Sequence, residues 1–355
     1  MKLFNGGKEQ LKPVNNKLVF IRVDANHKRG MGHLFRMLTL SDVFASMDVE
    51  SFFVIREDEI AERILGEKKA SYTVYSSNTS ELEIIQDILK ETKNFPSIWI
   101  YDILNTEISW IRSIKDKNIK VVAFDDERGG IKEADVVINP IVHSWGNYNP
   151  SSTRARLLEG AEYAVLNPRV FELRKERIIR SDSPLSIGVT MGGSDTYGVT
   201  VSMVEALDVI NIGVNRITVF TGPHFEHMLE LEKMVEKCRH RVEIKHMVKD
   251  IHEELDTMNV VICGGGVTLF EVSAMGLPPL AFANEPHEEL TIRYFQSLGA
   301  CGNIGSRTKL IEGWVCDKLK EYLNNFSLLN SFASSNYKRF RRDCNLKTAT
   351  EIVGL

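Results

Sequence analysis

One rhythm constrains this chain more than any other feature: short β-branched or aromatic runs alternate with helix-like segments from end to end. Residues 17–24 read as a strand, followed by a glycine-containing turn and a helix over about 33–47. Further strands are expected at 51–55, 72–75, 98–101, 121–124 and 136–138, with helical patterns between most of them, such as 81–90. A repeated strand–helix order predicts parallel sheets with helices on both faces. The rhythm breaks at 139–153, which carries Pro140, Gly146 and Pro150, and a second loop-rich, charged stretch covers 174–184. It restarts at 185–190 and continues through 216–220, 242–244, 260–263, 280–283 and a helical C-terminus.

With 355 residues the chain is too long for one ordinary domain and about right for two. The expected fold class is α/β, with two Rossmann-like doubly wound domains. Residues 1–17 form an N-terminal extension, 18–175 the first domain and 176–355 the second. Open sheets of this kind bind ligands at the carboxyl ends of their strands, so a site in a cleft between the domains is expected.

Composition removes several classes of function. Hydrophobic residues at 43 % and charged residues at 26 % exclude a disordered chain. Lys and Arg total 44 against 48 Asp and Glu, so bulk attraction to nucleic acid or anionic membrane is not expected. Apolar runs such as 260–263 and 277–283 fall far short of the ~18 residues of a membrane helix. Residues 1–16 lack the apolar core of a signal peptide. The five cysteines, Cys238, Cys263, Cys301, Cys316 and Cys344, show no C-x-x-C spacing, which argues against a disulfide framework or structural zinc. A reducing, cytoplasmic setting is the expectation.

Three loops draw attention because each is a strand followed by glycines and a helix. The first carries Gly30, Gly32, His33 and Arg36. The third glycine of a dinucleotide fingerprint would fall at Phe35, so that motif fails. What remains is a tight turn that places His33 at a helix start, where a neutral imidazole can accept a proton from water. A capping or core histidine is the plainer alternative. The second loop runs through Gly192, Gly193, Ser194 and Asp195; the third runs through Gly264, Gly265, Gly266, Thr268 and Glu271. Successive backbone N–H groups and the positive end of a helix dipole suit both to phosphate. Tight structural turns are the alternative for either loop alone, and two in one domain favour a diphosphate ligand. Glu271, a turn into its helix, is placed to reach ribose hydroxyls or simply to favour the helix start.

Other candidates are weaker. Asp125, Asp126 and Glu127 read as a polar turn before a metal site. His224 and His227 have no third ligand nearby, and His252-Glu253-Glu254 does not match H-E-x-x-H. The basic run at 338–342 reads as a solvated helix face.

Taken in order, Arg22-Val-Asp24-Ala-Asn26, Gly30-Met-Gly32-His33-Leu-Phe-Arg36, Gly192-Gly-Ser-Asp195 and the stretch 264–276 resemble the UDP-sugar hydrolases of pseudaminic acid synthesis. That family is related to spore-coat polysaccharide biosynthesis proteins and, more distantly, to the glycosyltransferase that makes lipid II. The resemblance covers about residues 18–343. It implies a GT-B-like pair of domains with UDP held mainly by the second. It also implies metal-free, cofactor-free cleavage of UDP-2,4-diacetamido-2,4,6-trideoxy-altrose to UDP and the free sugar. His33 would act on water; Gly192 to Asp195 and Gly264 to Gly266 would surround the phosphates, and Glu271 the ribose. Arg22, Asp24, Gly30, Gly32, Arg36 and Thr268 would complete the substrate contacts. The family has a Tyr two residues after the Asp that ends the fourth strand, where this chain has Leu104. A GT-B glycosyltransferase using the same donor and a non-catalytic nucleotide-sugar-binding protein are the competing expectations.

Overall fold

A computed structural model of the chain describes residues 17–24, 31–91, 98–103, 105–125, 129–140, 153–193, 195–307, 313–340 and 342–355. Two compact units result: Met1–Val165 with Asp343–Leu355, and Leu166–Arg342.

The first unit is built on seven parallel strands: β1 (Leu18–Val23), β2 (Glu50–Arg56), β3 (Ser71–Tyr75), β4 (Ile98–Asp102), β5 (Lys120–Phe124), β6 (Val136–Asn139) and β7 (Arg156–Glu159). Their order is β3-β2-β1-β4-β5-β6-β7. Helices α1 (Gly32–Ser46), α2 (Glu59–Glu67), α3 (Glu81–Glu91) and α4 (Ile108–Lys115) connect the early strands. All six residues of β1 are buried, as a strand covered on both faces requires. Alternate side chains enter different layers. Val19, Ile21 and Val23 join Leu34, Met37 and Phe44, while Leu18 and Phe20 join Phe52, Trp99 and Tyr101. Asp58 starts α2 by accepting the N–H groups of Ile60 and Ala61.

The second unit follows the same plan. Along the chain come α5 (Pro168–Glu172), β8 (Leu185–Thr190), α6 (Val199–Val209), β9 (Val214–Thr221), α7 (Met228–Val235), β10 (Val242–His246), α8 (Ile251–Asp256) and β11 (Val260–Gly264). Then follow α9 (Val267–Ala274), β12 (Pro279–Ala283), α10 (Pro286–Ser297), β13 (Gly302–Ser306), α11 (Trp314–Leu323) and α12 (Phe326–Arg339). The six strands are parallel in the order β10-β9-β8-β11-β12-β13. The α/β class and the two doubly wound sheets are as the alternation predicts.

Two details depart from the sequence reading. The boundary falls at Val165/Leu166 rather than 175/176, because α5 packs on α9 of the second unit. The final helix, α13 (Cys344–Val353), belongs to the first unit, where Ala349 and Ile352 enter the core beside Phe44. Thr348 ties it down by donating to the Tyr163 carbonyl at 3.0 Å. Strands β7 and β13 were not expected. The latter reads Gly-Asn-Ile-Gly-Ser, residue types depleted in strands, and its edge place asks for pairing on one side alone.

Both sheets reverse strand order once, between β1 and β4 and between β8 and β11. The crevice at the carboxyl ends of such a pair is where doubly wound sheets bind ligands.

Candidate functional site

In the first unit the reversal point is occupied by a chain of charged side chains. His33 and Arg36 stand one turn apart at the start of α1, which follows β1. Asp102 ends β4, directly beside Val23 of β1. The His33 Nδ1 lies 2.7 Å from Asp102 Oδ1. Arg36 donates from Nε to Asp102 Oδ2 at 2.6 Å, from Nη2 to Oδ1, and from Nη1 to Asp125 just past β5. Its guanidinium also lies over the Phe124 ring. Burial alone would push the Asp102 carboxyl up, but the Arg36 guanidinium, followed by His33, holds it down at about 2. Asp102 is therefore an anion at any physiological pH. Arg36 Nη2 also stands 3.2 Å from His33 Nδ1, and the shorter contact of that nitrogen is to the Asp102 anion; in the tautomer that carries its proton on Nδ1, Asp102 accepts it and Nε2 keeps a lone pair. The Asp102 side chain is fully buried and that of His33 is 19 % exposed, so the carboxylate orients the ring and the ring alone reaches outward.

Asp125 adds a second acceptor. Its backbone is left-handed at φ 46°, and its Oδ1 is buried without a hydrogen-bond partner among the described residues. Among the described residues, three of the six non-glycine residues with positive φ, Asp48, Lys69 and Asn118, follow helix ends, an ordinary place for that conformation. The other three, Asp125, Asp195 and Met247, lie just past the carboxyl ends of β5, β8 and β10. Strain of this kind concentrates at functional sites.

Arg22 is committed to partners inside the first unit. It is 1 % exposed, and its guanidinium donates to Glu81 through Nε and Nη2 and to Asp24 and the Val23 carbonyl through Nη1. Glu81 opens α3 and also pairs with Arg56, so Arg22 fixes Asp24 at the end of β1. Arg36 is likewise enclosed and acts on Asp102. Gly32 begins α1. Gly30, Leu104, Asp126, Glu127 and Ser194 lie outside the described residues. Tyr101 enters the layer beside Trp99, ring centroids 5.9 Å apart, while its neighbour Ile100 enters the opposite one.

In the second unit the two glycine loops flank the reversal point, and they differ. Asp195, expected beside phosphate, accepts the N–H groups of Val199 and Thr200 at 2.9 and 2.8 Å. Its carboxylate thus fills the start of α6, where an anion would otherwise sit. Gly192 adopts φ 90°. Gly193 touches Gly222 so closely that a Cβ there would fall 2.5 Å from the Gly193 backbone, and the Gly193 carbonyl accepts the His224 N–H. This loop is pinned to the end of β9.

The third loop leaves its helix open. Gly266 stands at the N-cap of α9 and brings no side chain to it; the Leu269 N–H turns back to the Gly266 carbonyl and the Gly265 N–H goes to Glu288, which leaves the N–H groups of Val267 and Thr268 to an anion. Thr268 lies in that first turn, half-buried. Gly265 is needed for another reason: a Cβ there would meet the Glu288 Cβ at 2.8 Å and its carbonyl at 2.9 Å. Glu288, on α10, accepts the N–H groups of Asn284, Glu285 and Gly265 and is pushed up by burial. Glu271, further along α9, has a 17 % exposed side chain, with Oε2 standing 3.3 Å from His252 Nε2.

The sequence reading missed Asp102 as the partner of His33, and only its place at a strand end signals it. It also missed a cation at this edge. The Arg307 guanidinium, just past β13, stacks 3.5 Å over the Tyr197 ring, and a hydrogen bond to Glu285 pushes the Tyr197 hydroxyl up. Among the described residues no cluster of three or more His, Cys, Asp or Glu is placed to hold a metal ion, and no helix is long and apolar enough to cross a membrane.

No family model matches the chain. It is similar to an uncharacterized protein, MJ1062, of Methanocaldococcus jannaschii, 26 % identical over 79 % of this chain and 58 % of that protein. The chain thus spans little more than half the length of that relative. It is 25 % identical to the spore coat polysaccharide biosynthesis protein SpsG of Bacillus subtilis, over 81 % of this chain and 83 % of SpsG. Among solved structures, MurG of Acinetobacter baumannii superposes with a TM-score of 0.66 over 96 % of this chain and all of that one, at 13 % identity. HepE of Anabaena, solved with UDP and glucose, gives 0.59 over 96 % and 100 % at 12 % identity. The fold is therefore GT-B-like.

Proposed function

Because the chain is a homologue of the spore coat polysaccharide biosynthesis protein SpsG, we propose that it acts on a UDP-linked sugar in polysaccharide biosynthesis, and that it transfers the sugar to water. The substrate class is a UDP-linked diacetamido-trideoxy sugar of the kind used to make pseudaminic or related nonulosonic acids. The second unit holds UDP, with the diphosphate at the open start of α9 and the ribose at Glu271. HepE, of the same fold, holds UDP and glucose, which supports this ligand class.

The observation that carries hydrolysis is the His33–Asp102 pair. A buried anion holds the ring by Nδ1, and in this reading Nε2 carries the lone pair that meets water. Water donates its proton to Nε2 as its oxygen attacks the anomeric carbon. The bond from that carbon to the β-phosphate oxygen breaks, and its electron pair leaves with UDP. The amides and helix dipole at α9 stabilise the charge that develops there. The same base would serve an acceptor hydroxyl, and the likeness in fold to MurG keeps glycosyl transfer as the second reading.

A panel of UDP-amino sugars, assayed for UDP release with and without acceptor sugars, separates the two. Hydrolysis predicts release from at least one donor with no acceptor present. His33→Ala should lower that rate by about 10²–10⁴ while leaving UDP affinity and the melting temperature in place. Release that appears only with an acceptor makes the protein a transferase, and an unchanged rate in folded His33→Ala removes His33 from the chemistry.

A further inference from the structure

His252 is a buried titratable group that the proposed chemistry does not use. It lies on α8, 5 % exposed, with each ring nitrogen within ion-pair distance of a carboxylate: Nδ1 is 3.5 Å from Asp250 Oδ1, and Nε2, buried and not aligned for a hydrogen bond to any described residue, is 3.3 Å from Glu271 Oε2. The two carboxylates are not equivalent. Asp250 already caps α8 through the N–H groups of His252 and Glu253, and its other oxygen accepts from Arg169 Nε at 3.1 Å. Arg169, on α5, also pairs with Glu172 and Glu253. Glu271 has no such company. Its Oε1 has no hydrogen-bond partner among the described residues.

A neutral imidazole carries one N–H, so one of its nitrogens would point a lone pair at a carboxylate oxygen. Only the imidazolium donates on both sides. Burial lowers the tendency of His252 to hold its second proton, but Glu271 and Asp250 outweigh it and raise the group above its ordinary value.

We propose that His252 is a positioning residue for the nucleotide site: its imidazolium holds Glu271 by Oε2 and so presents Oε1 to a ribose hydroxyl. This rests on the reading of Glu271 as the ribose ligand. It makes recognition of the sugar ring, rather than of the phosphates, dependent on pH. As pH rises through the raised value of His252, the ring loses its charge, the ion pair with Glu271 is lost, and Glu271 is no longer held in place.

The test is the ratio of affinities for UDP and 2′-deoxy-UDP, measured by calorimetry from pH 6 to pH 9. The terminal phosphate titrates alike in both ligands, so it cancels in the ratio. A hydrogen bond to a charged acceptor gives a preference for UDP of about tenfold or more. The wild type should show that preference at pH 6 and lose most of it by pH 9. His252→Gln keeps an N–H donor without a titrating charge, and should hold a preference that does not change with pH. His252→Ala should show a weak preference throughout, with the fold checked by thermal melting. Glu271→Gln reports on the underlying reading: if it keeps the full wild-type preference, Glu271 does not bind ribose and both statements fall. If Glu271→Gln loses the preference while His252→Gln retains the wild-type pH dependence, the ribose reading stands and the role of His252 is overturned.

Discussion

Replacing Asp102 by Asn keeps the shape of the side chain and removes its charge, and the structure sets the size of the effect. In the folded chain this carboxyl is held at about 2 against an ordinary 3.8, because Arg36 and His33 outweigh the cost of its burial. At 1.36 kcal/mol per pH unit, that difference stabilises the native state by about 2–3 kcal/mol. The native value is depressed, so the stabilisation is complete above about pH 4 and is lost as pH falls through about 2. The Asn variant leaves Arg36 with Asp125 as its remaining carboxylate partner, and at pH 7 it should be less stable by about 3 kcal/mol, the low end for a broken buried pair. Since the two units need not unfold together, a global melt would mix them. The better assay is hydrogen exchange at the β1 and β4 amides in graded urea. The gap between wild type and variant should close by about 2–3 kcal/mol as pH falls from about 5 to about 2. Asn also turns an N–H towards His33 Nδ1 and so favours the wrong tautomer, which should lower turnover by about 10³–10⁴. A gap that stays constant across this range would refute the premise that Arg36 holds a charged Asp102.

Three further outcomes follow. Gly265→Val places its side chain against the Glu288 backbone and should cost about 1–3 kcal/mol in urea unfolding of the second unit, so a variant of wild-type stability would show that α10 gives way there. Asp195→Ala empties the start of α6 and should cost about 1 kcal/mol while UDP affinity measured by calorimetry stays the same; a large loss of affinity would return the second loop to the phosphate site. UDP should bind equally in EDTA and in magnesium, because the α9 site offers amides rather than a set of carboxylates, and binding that requires the divalent ion would overturn the metal-free mechanism.

Strands of the sheet interiors are readable because they are buried on both faces and therefore almost continuously apolar, as in β11 and, apart from Arg22, in β1. Edge strand β13 is not, since its glycines and polar residues carry no such signal. The loops were readable as glycine-rich turns, but their roles were not. Sequence alone gives Asp195 and Gly266 equal standing at a helix start, and only the hydrogen bonds show that one is closed by a carboxylate and the other open. His33 was found from its turn, whereas its partner Asp102 lies 69 residues away and is joined to it by strand order. Arg22 is a substrate contact only in what the family resemblance implies; its partner Glu81, 59 residues on, makes it an internal tie.

The return of α13 to the first unit reverses the order in which a ribosome would complete the two halves. Residues 166–342 form an unbroken segment that holds every strand of its own sheet. The first unit is begun earlier but lacks Ala349 and Ile352 until after that whole segment has been made. The half that emerges first therefore closes its core last. Through that interval the side of the first core that Ala349 and Ile352 complete is unfinished, and exposed apolar surface of that kind is what favours aggregation during synthesis.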